Sequence, residues 1–329
     1  MESFKAYRVF EEDGQVAGRL VGTTLDQLDP GEVVVRVEYS SVNYKDALGA
    51  TGKGRVIRRF PCVGGVDLAG TVVSSDDAHF RAGDAVLATG YDLGVAHDGG
   101  FAEYARVPAD WLVPLPAGLT LFDAMALGTA GFTAAKAIYL LELNGLAPGN
   151  GKVAVSGASG GVASLLIDML AARGYVVTAI TGKDSEHDYL RHLGAAEILP
   201  RSAIQPSDKA LEKGLWVAAF DAVGGDTLAW FTRTMAYNGL IASFGNTGGT
   251  ELHTTVFPFI LRGVRLIGVD SAQTAMPLRL ELWRRIASDL RPRHLAEVTR
   301  TVTLDDLPQA FAMMLAGQSR GRTVVRILS

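Results

Sequence analysis

The chain has 329 residues, 48% of them hydrophobic and 20% charged, with 38 glycines, one cysteine and a formal net charge of −4. This profile fits a folded chain of about two domains with many tight turns. It carries no overall basic footprint for nucleic acid, and Cys62 alone permits neither an internal disulfide nor a four-cysteine zinc site. The first segment, "MESFKAYRVFEEDG", lacks the apolar core of a signal peptide, and no run of about eighteen apolar residues reads as a membrane span. The expectation is a cytoplasmic protein with no nucleic-acid or membrane partner.

Residues 1–120 are rich in short β patterns. "EVVVRVEYSSV", "LAGTVVSS" and "DAVLATG" read as strands separated by Gly, Asp and Pro, and "HDGGFAEYARVPADWLVPLP" continues the style. This predicts a mainly antiparallel β domain or partial barrel. Near Leu121 the spacing turns helical through "LFDAMALGTAGFTAAKAIYLLELNGL", and "APGNG" ends the run. From Lys152 strand and helix alternate: "KVAVSG", "GVASLLIDMLAAR", "YVVTAIT" and "DSEHDYLRHLG". The strands "AEILP", "LWVAAFDAV", "GLIASFG" and "VRLIGVD" follow. Repeated βα units predict a doubly wound parallel sheet, so the chain is α/β. After Asp270 come a helix, "PLRLELWRRIASDL", a short β piece, "EVTRTVTL", another helix and a terminal strand, "RTVVRIL". That tail is expected to return to the first domain. The predicted division is therefore 1–122 with 271–329, and 123–270.

The turn "KVAVSGASGGVASLL" joins a strand to a helix and spaces Gly157, Gly160 and Ala163 three apart. Small residues here let the backbone approach a pyrophosphate, and the following helix offers free N–H groups and the positive end of its dipole. A glycine triplet alone is weak evidence; its place between a strand and a helix in a βα series makes it a dinucleotide site. The alternative is a tight turn with no ligand. An acid for the ribose of NAD would end the second strand, but "TAITGK" ends in Thr181, Gly182 and Lys183. A hydroxyl and a cation suit a 2′-phosphate, which favours NADPH. Arg201 stands to lie over the adenine or the same phosphate. Asp184 reads as an N-cap of the next helix, and a Lys183 that only caps a solvated turn is the plain alternative.

Four cations, Lys53, Arg55, Arg58 and Arg59, lie in the segment "NYKDALGATGKGRVIRRFPCVGGVDLAG". "TGKG" lacks the Walker spacing and is no P-loop. The six histidines are scattered and form no metal-ligand pattern.

A β domain followed by a dinucleotide fold, with "GVDLAG", "GGFAEYARVP" and "GTAGFTA", resembles the medium-chain dehydrogenase/reductase superfamily over essentially the whole chain. The resemblance implies a GroES-like catalytic domain and a Rossmann domain. Alcohol dehydrogenases of this superfamily hold a catalytic zinc through a Cys and a His-Glu pair. The matching positions here are Asn43 or its neighbour, Val66 and Asp67, and Val66 cannot coordinate, so no metal is expected. "SSVNYKDALGATGKG", "SGASGGV", "FPFILRGVRLIGVDS" and "GRTVV" resemble the zinc-independent quinone-oxidoreductase-like reductases, and among them the acryloyl-CoA reductase branch.

That resemblance implies hydride transfer from NADPH to a C=C bond conjugated to a carbonyl, with propionyl-CoA as the product from acryloyl-CoA. Asn43 and Tyr44 are the catalytic candidates: Tyr44 packs on the nicotinamide and donates a hydrogen bond or proton, and Asn43 orients it or the substrate. A half-buried tyrosine with a satisfied hydroxyl is the competing reading. Asp46 is expected to fix the loop by an N-cap-like bond. Further cofactor contacts are implied at Ser159, Gly160, Gly161, Val162, Thr181, Gly182, Lys183, Arg201, Asn246, Ile260 and Ser271. The cations Lys53, Arg55, Arg58 and Arg59 become candidates for the phosphates of an acyl-CoA, with a solvated loop as the alternative. A homodimer is implied. A quinone or enone reductase, and an NADPH-binding sensor or structural protein without turnover, are the competing functions.

Overall fold

A computed structural model describes residues 3–328. In chain order its first elements are β1 (Phe4–Glu12), β2 (Gln15–Thr23), β3 (Val33–Val42), α1 (Tyr44–Ala50), β4 (Cys62–Val63), β5 (Asp67–Ser75), β6 (Ala85–Thr89), β7 (Tyr104–Val107), β8 (Val113–Pro114) and α2 (Leu121–Leu143). Then come β9 (Lys152–Val155), α3 (Gly161–Ala172), β10 (Val176–Thr181), α4 (His187–His192), β11 (Glu197–Pro200), β12 (Trp216–Asp221), α5 (Gly225–Thr234), β13 (Met235–Ser243), α6 (Phe257–Arg262) and β14 (Arg265–Gly268). The chain ends with α7 (Met276–Ile286), α8 (Leu295–Val298), β15 (Thr299–Thr303), α9 (Leu307–Leu315) and β16 (Arg322–Arg326). Two compact units result. One is Met1–Ala130, Ser271–Ala287 and Leu295–Ser329; the other is Gly131–Asp270 with Ser288–His294.

The first unit holds a seven-stranded sheet in the order β15-β16-β3-β5-β6-β8, with β7 paired to β3, and a three-stranded sheet β2-β1-β4. Only β15 and β16 run parallel in the larger sheet. In β3, Val33, Val35 and Val37 are buried while Val34, Arg36 and Glu38 are not, which is the period-two pattern of a strand with one covered face. These valines join Leu68, Val86, Phe101 and Phe311 in the core. Because β16 pairs with β3 through Thr323↔Val42, the C-terminal strand lies beside the turn from β3 into α1.

The second unit is an all-parallel six-stranded sheet in the order β11-β10-β9-β12-β13-β14. Counting from β9 the order is 3-2-1-4-5-6, so direction reverses between β9 and β12, where such sheets bind nucleotides. Val153, Ala154 and Val155 of β9 and Ala218, Ala219 and Phe220 of β12 are all buried, without alternation, because helices cover both faces. The helix read from "DSEHDYLRHLG" is shorter than that segment. Lys183 occupies the cap position of a 3₁₀ turn, Asp184–Glu186, and Asp184 lies in its first turn instead of capping it.

Helix α2 is long and apolar enough by composition to cross a membrane, but it is largely buried in the protein. It is also broken: Gly128 has φ 50° and ψ −154°, outside helical values. A Cβ at Gly128 would stand 2.6 Å from Asp67 Oδ2, 2.7 Å from Ser41 Oγ and 2.9 Å from Arg322 Nη2. Gly128→Ala is therefore expected to lower the unfolding free energy by at least about 2 kcal/mol, measured by urea denaturation.

Candidate active site

The sequence motifs around Asn43, Asp67, Gly128 and Arg322 meet inside the first unit. Arg322, 3% exposed, opens β16. Its Nε donates to the Ala126 carbonyl at 3.0 Å, Nη1 to the Val42 carbonyl at 3.3 Å and to Asn43 Oδ1 at 3.2 Å, and Nη2 to Ser41 Oγ at 2.8 Å. The counter-ion is Asp67, fully buried, with Oδ2 4.0 Å from Nη2. That oxygen accepts hydrogen bonds from Ser41 Oγ at 2.5 Å, Asn43 Nδ2 at 2.8 Å and Thr129 N at 3.0 Å. Thr129 Oγ1 donates to Oδ1 at 2.5 Å. The break at Gly128 is what frees the Thr129 N–H to face a carboxylate rather than a helical carbonyl.

Asn43 precedes α1 in extended conformation, φ −119° and ψ 159°. Asp46 reaches back so that its Oδ2 accepts the Asn43 N–H at 2.8 Å, the N-cap-like bond expected from sequence, while Oδ1 accepts the Val66 N–H at 3.1 Å. Both ends of the Asn43 amide are engaged inside the protein, so Asn43 orients the turn and does not face solvent. Tyr44, the first residue of α1, is 37% exposed. Burial, and then the negative charge of Asp67, push Asp46 up to about 7. Burial lowers the pKa of Arg322, opposed by the charges of Asp67 and Asp46; an arginine stays charged throughout.

In the second unit, the turn after β9 places Gly157 at φ 60°, a left-handed conformation suited to glycine, and the Gly160 N–H donates to its carbonyl at 2.8 Å. Ser159 is buried, Gly160 is the cap residue of α3, and Gly161 and Val162 begin the helix, whose first N–H groups have no partner within it. At the tip of β10, Thr181 Oγ1 accepts the Lys183 N–H at 3.1 Å. The Arg201 guanidinium lies against Gly182, close enough that a Cβ there would come within 3.2 Å of its Cζ. Thr181, Gly182, Lys183 and Arg201 thus form one cluster with no carboxylate at the strand tip. Asn246 follows β13, and Ile260 lies on α6 with 67% exposure. Tyr44 and Ser271 belong to the first unit.

Two features had no assigned role in the sequence reading. One is the Arg322–Asp67 pair. The other is Asp221 at the end of β12, whose Oδ1 accepts from Ser156 Oγ at 2.7 Å and whose Oδ2 accepts from Gly224 N at 2.8 Å. Ser156 Oγ in turn accepts the Ala222 N–H at 3.0 Å. This clamp ties the turns after β9 and β12 at the point where strand order reverses, and burial raises the Asp221 pKa. A polar residue closing one buried strand, Asp221, and one directly after a second, Ser156, were the available signal. Among the four loop cations, Arg58 pairs with Asp92 and Arg59 with Asp29, while Lys53 and Arg55 are exposed.

A unit with a Rossmann-ordered sheet and a glycine turn, and a β unit with a buried polar turn, define a two-domain dehydrogenase or reductase. Family profiles agree: residues 29–117 match the alcohol dehydrogenase GroES-like domain and residues 161–286 the zinc-binding dehydrogenase domain. The chain belongs to this medium-chain dehydrogenase/reductase family, in its quinone-oxidoreductase-like branch. It is 47% identical over 318 residues to the acrylyl-CoA reductase AcuI of Ruegeria pomeroyi, covering 96% of each chain. It is 44% identical over 326 residues to the putative quinone oxidoreductase YhfP of Bacillus subtilis, covering 98% of this chain and 99% of the relative. The crystal structure of the YhdH oxidoreductase from Salmonella enterica in complex with NADP superposes with a TM-score of 0.96 at 46% identity, over 98% of this chain and all of that one.

The residues do not fit the zinc that the family profile's name implies. Val66 has no donor atom, the Asn43 amide and both Asp67 oxygens are consumed by internal hydrogen bonds, and a guanidinium already stands beside the carboxylate. Cys62 is buried and its thiol is pushed up to about 12, first by burial, so it offers no ready thiolate. Among the described residues no group of three or more His, Cys, Asp or Glu could hold a metal ion.

A carboxyl whose pKa is higher in the folded than in the unfolded state binds its proton more tightly when folded, so its contribution to stability is present at low pH and lost as pH rises. For Asp46 the window runs from about 4 to about 7. The unfolding free energy is expected to fall across that window, and Asp46→Asn is expected to flatten the slope in urea titrations at successive pH values.

Proposed function

We propose that this protein is an NADPH-dependent reductase of the C=C bond of α,β-unsaturated acyl-CoA thioesters, with acryloyl-CoA as the favoured substrate and propionyl-CoA as the product. The observation that carries the reading is a Tyr44 turn built without metal ligands in a chain 47% identical, end to end, to an acrylyl-CoA reductase. NADPH, when bound, supplies the hydride to the β-carbon. Gly161 and Val162 offer backbone N–H groups to its pyrophosphate, with Ser159 and Gly160 beside them, and Lys183, Arg201 and Thr181 take the 2′-phosphate. Gly182 allows Arg201 to lie close to the strand tip. Asn246, Ile260 and Ser271 complete the cofactor contacts. The Tyr44 hydroxyl stabilises the negative charge that develops on the thioester oxygen and serves as a proton donor. Asn43 positions it.

Lys53 and Arg55 receive the phosphates of CoA first, and Arg58 and Arg59 join by exchanging their Asp92 and Asp29 partners. The same reading makes the protein a cytoplasmic homodimer. The open edge of β14, with Phe257, Ile260, Leu261 and Leu266 exposed nearby, supports that assembly. A quinone or enone reductase is the second reading, favoured by the 44% identity to a putative quinone oxidoreductase.

The test follows NADPH oxidation at 340 nm with acryloyl-CoA, crotonyl-CoA and a simple quinone side by side. The expected result is highest kcat/KM for acryloyl-CoA, falling at least about tenfold in Tyr44→Phe. Preference for the quinone, or turnover of none of the three, would overturn the thioester reading. Replacing Lys183 and Arg201 together by Ala is expected to raise KM for NADPH at least about tenfold while shifting that for NADH much less.

A further inference from the structure

We propose that Arg322 is a positioning residue for the reaction, holding Tyr44 in its working orientation through the Asn43 amide; this rests on the role assigned to Tyr44 above. The guanidinium gives Asn43 only one favourable orientation. Arg322 Nη1 donates to Asn43 Oδ1, so the amide NH₂ must face the other way, where Asp67 Oδ2 accepts it at 2.8 Å. Rotating the amide by half a turn would set NH₂ against guanidinium and carbonyl oxygen against carboxylate, two repulsive contacts in a buried site. The Asn43 backbone is fixed as well, by its N–H on Asp46 and by the Arg322 bond to the Val42 carbonyl next to it. Tyr44 therefore leaves a residue held at its backbone and at both ends of its side chain.

The fork geometry matters more than the charge alone. Four donor groups of Arg322 reach acceptors on two separate segments, 41–43 at the end of β3 and Ala126 before the break in α2. A lysine would keep the positive charge beside Asp67 but could not span those acceptors with one compact ammonium. In this chain a guanidinium supplies the fixed cation beside the Asp67 carboxylate, and its work is to orient rather than to touch substrate.

The test is a double-mutant cycle with Arg322→Lys, Tyr44→Phe and the double variant, reading kcat and KM for acryloyl-CoA, NADPH affinity by fluorescence titration, and Tm. The expected result is a drop in kcat of at least about tenfold in Arg322→Lys, NADPH affinity held within about threefold, and a double variant no slower than the slower single variant. An unchanged kcat in folded Arg322→Lys, or losses that multiply in the double variant, would overturn the proposal. Should Arg322→Lys fail to fold, Asn43→Ala takes its place in the cycle with the same expectation, because it cuts the link while leaving Arg322, Ser41 and Asp67 together. Tyr44→Phe at full speed would sink the Tyr44 role and this proposal with it, whereas a slow Tyr44→Phe beside a normal Arg322→Lys removes only the positioning role.

Discussion

A buried guanidinium facing a buried carboxylate sets the terms for the β unit. Taking Arg322 and Asp67 out of water is costly unless each is paired and its remaining hydrogen-bonding capacity is filled. Here the filling is done by Ser41, Asn43, Thr129 and the carbonyls of Val42 and Ala126. Those groups sit on two stretches, 41–43 at the end of β3 and 126–129 in α2, while Asp67 lies on β5 and Arg322 on β16, so all four elements must come together for the network to be satisfied. The Gly128 break has the same cause: an unbroken helix there would leave no backbone N–H for Asp67 and no room beside it.

The nucleotide-fold unit depends on a different constraint, the reversal of strand order between β9 and β12. Diverging connections on either side leave two turns side by side, and the Ser156–Asp221 clamp holds them by hydrogen bonds that stay out of water. The small residues of the glycine turn follow β9, and Lys183 and Arg201 lie at the tips of the neighbouring β10 and β11. The two units use opposite devices. One buries its charges and satisfies them internally, and the other gathers helix-end N–H groups and two cations, Lys183 and Arg201, near its strand tips.

Much of this was legible in the sequence. The βα alternation from Lys152 and the period-two valines of β3 follow from local periodicity, which tertiary packing here reinforces. The glycine spacing at Gly157 and Gly160 was readable for the same reason, since a left-handed turn before a helix demands small residues locally. Other features were hidden. "GTAGFTA" reads as continuous helix until one knows that Asp67 lies beside Gly128. Arg58 and Arg59 read as free cations because their partners, Asp92 and Asp29, are about thirty residues away in the chain. Arg322 sits in a quoted motif, "GRTVV", yet a cation opening a strand looks like an ordinary surface residue until β16 is seen paired to β3.

By itself the sequence determined the strands and helices, the parallel sheet, the glycine turn and the lack of a metal-binding side chain at Val66, because these rest on residue type and short spacing. Only the tertiary structure decided which charges meet. It engaged both ends of the Asn43 amide inside the protein and gave Asp46 its raised pKa. It also placed a guanidinium against Asp67, because burial and the pairing of ions more than two hundred residues apart exist only once the chain is folded.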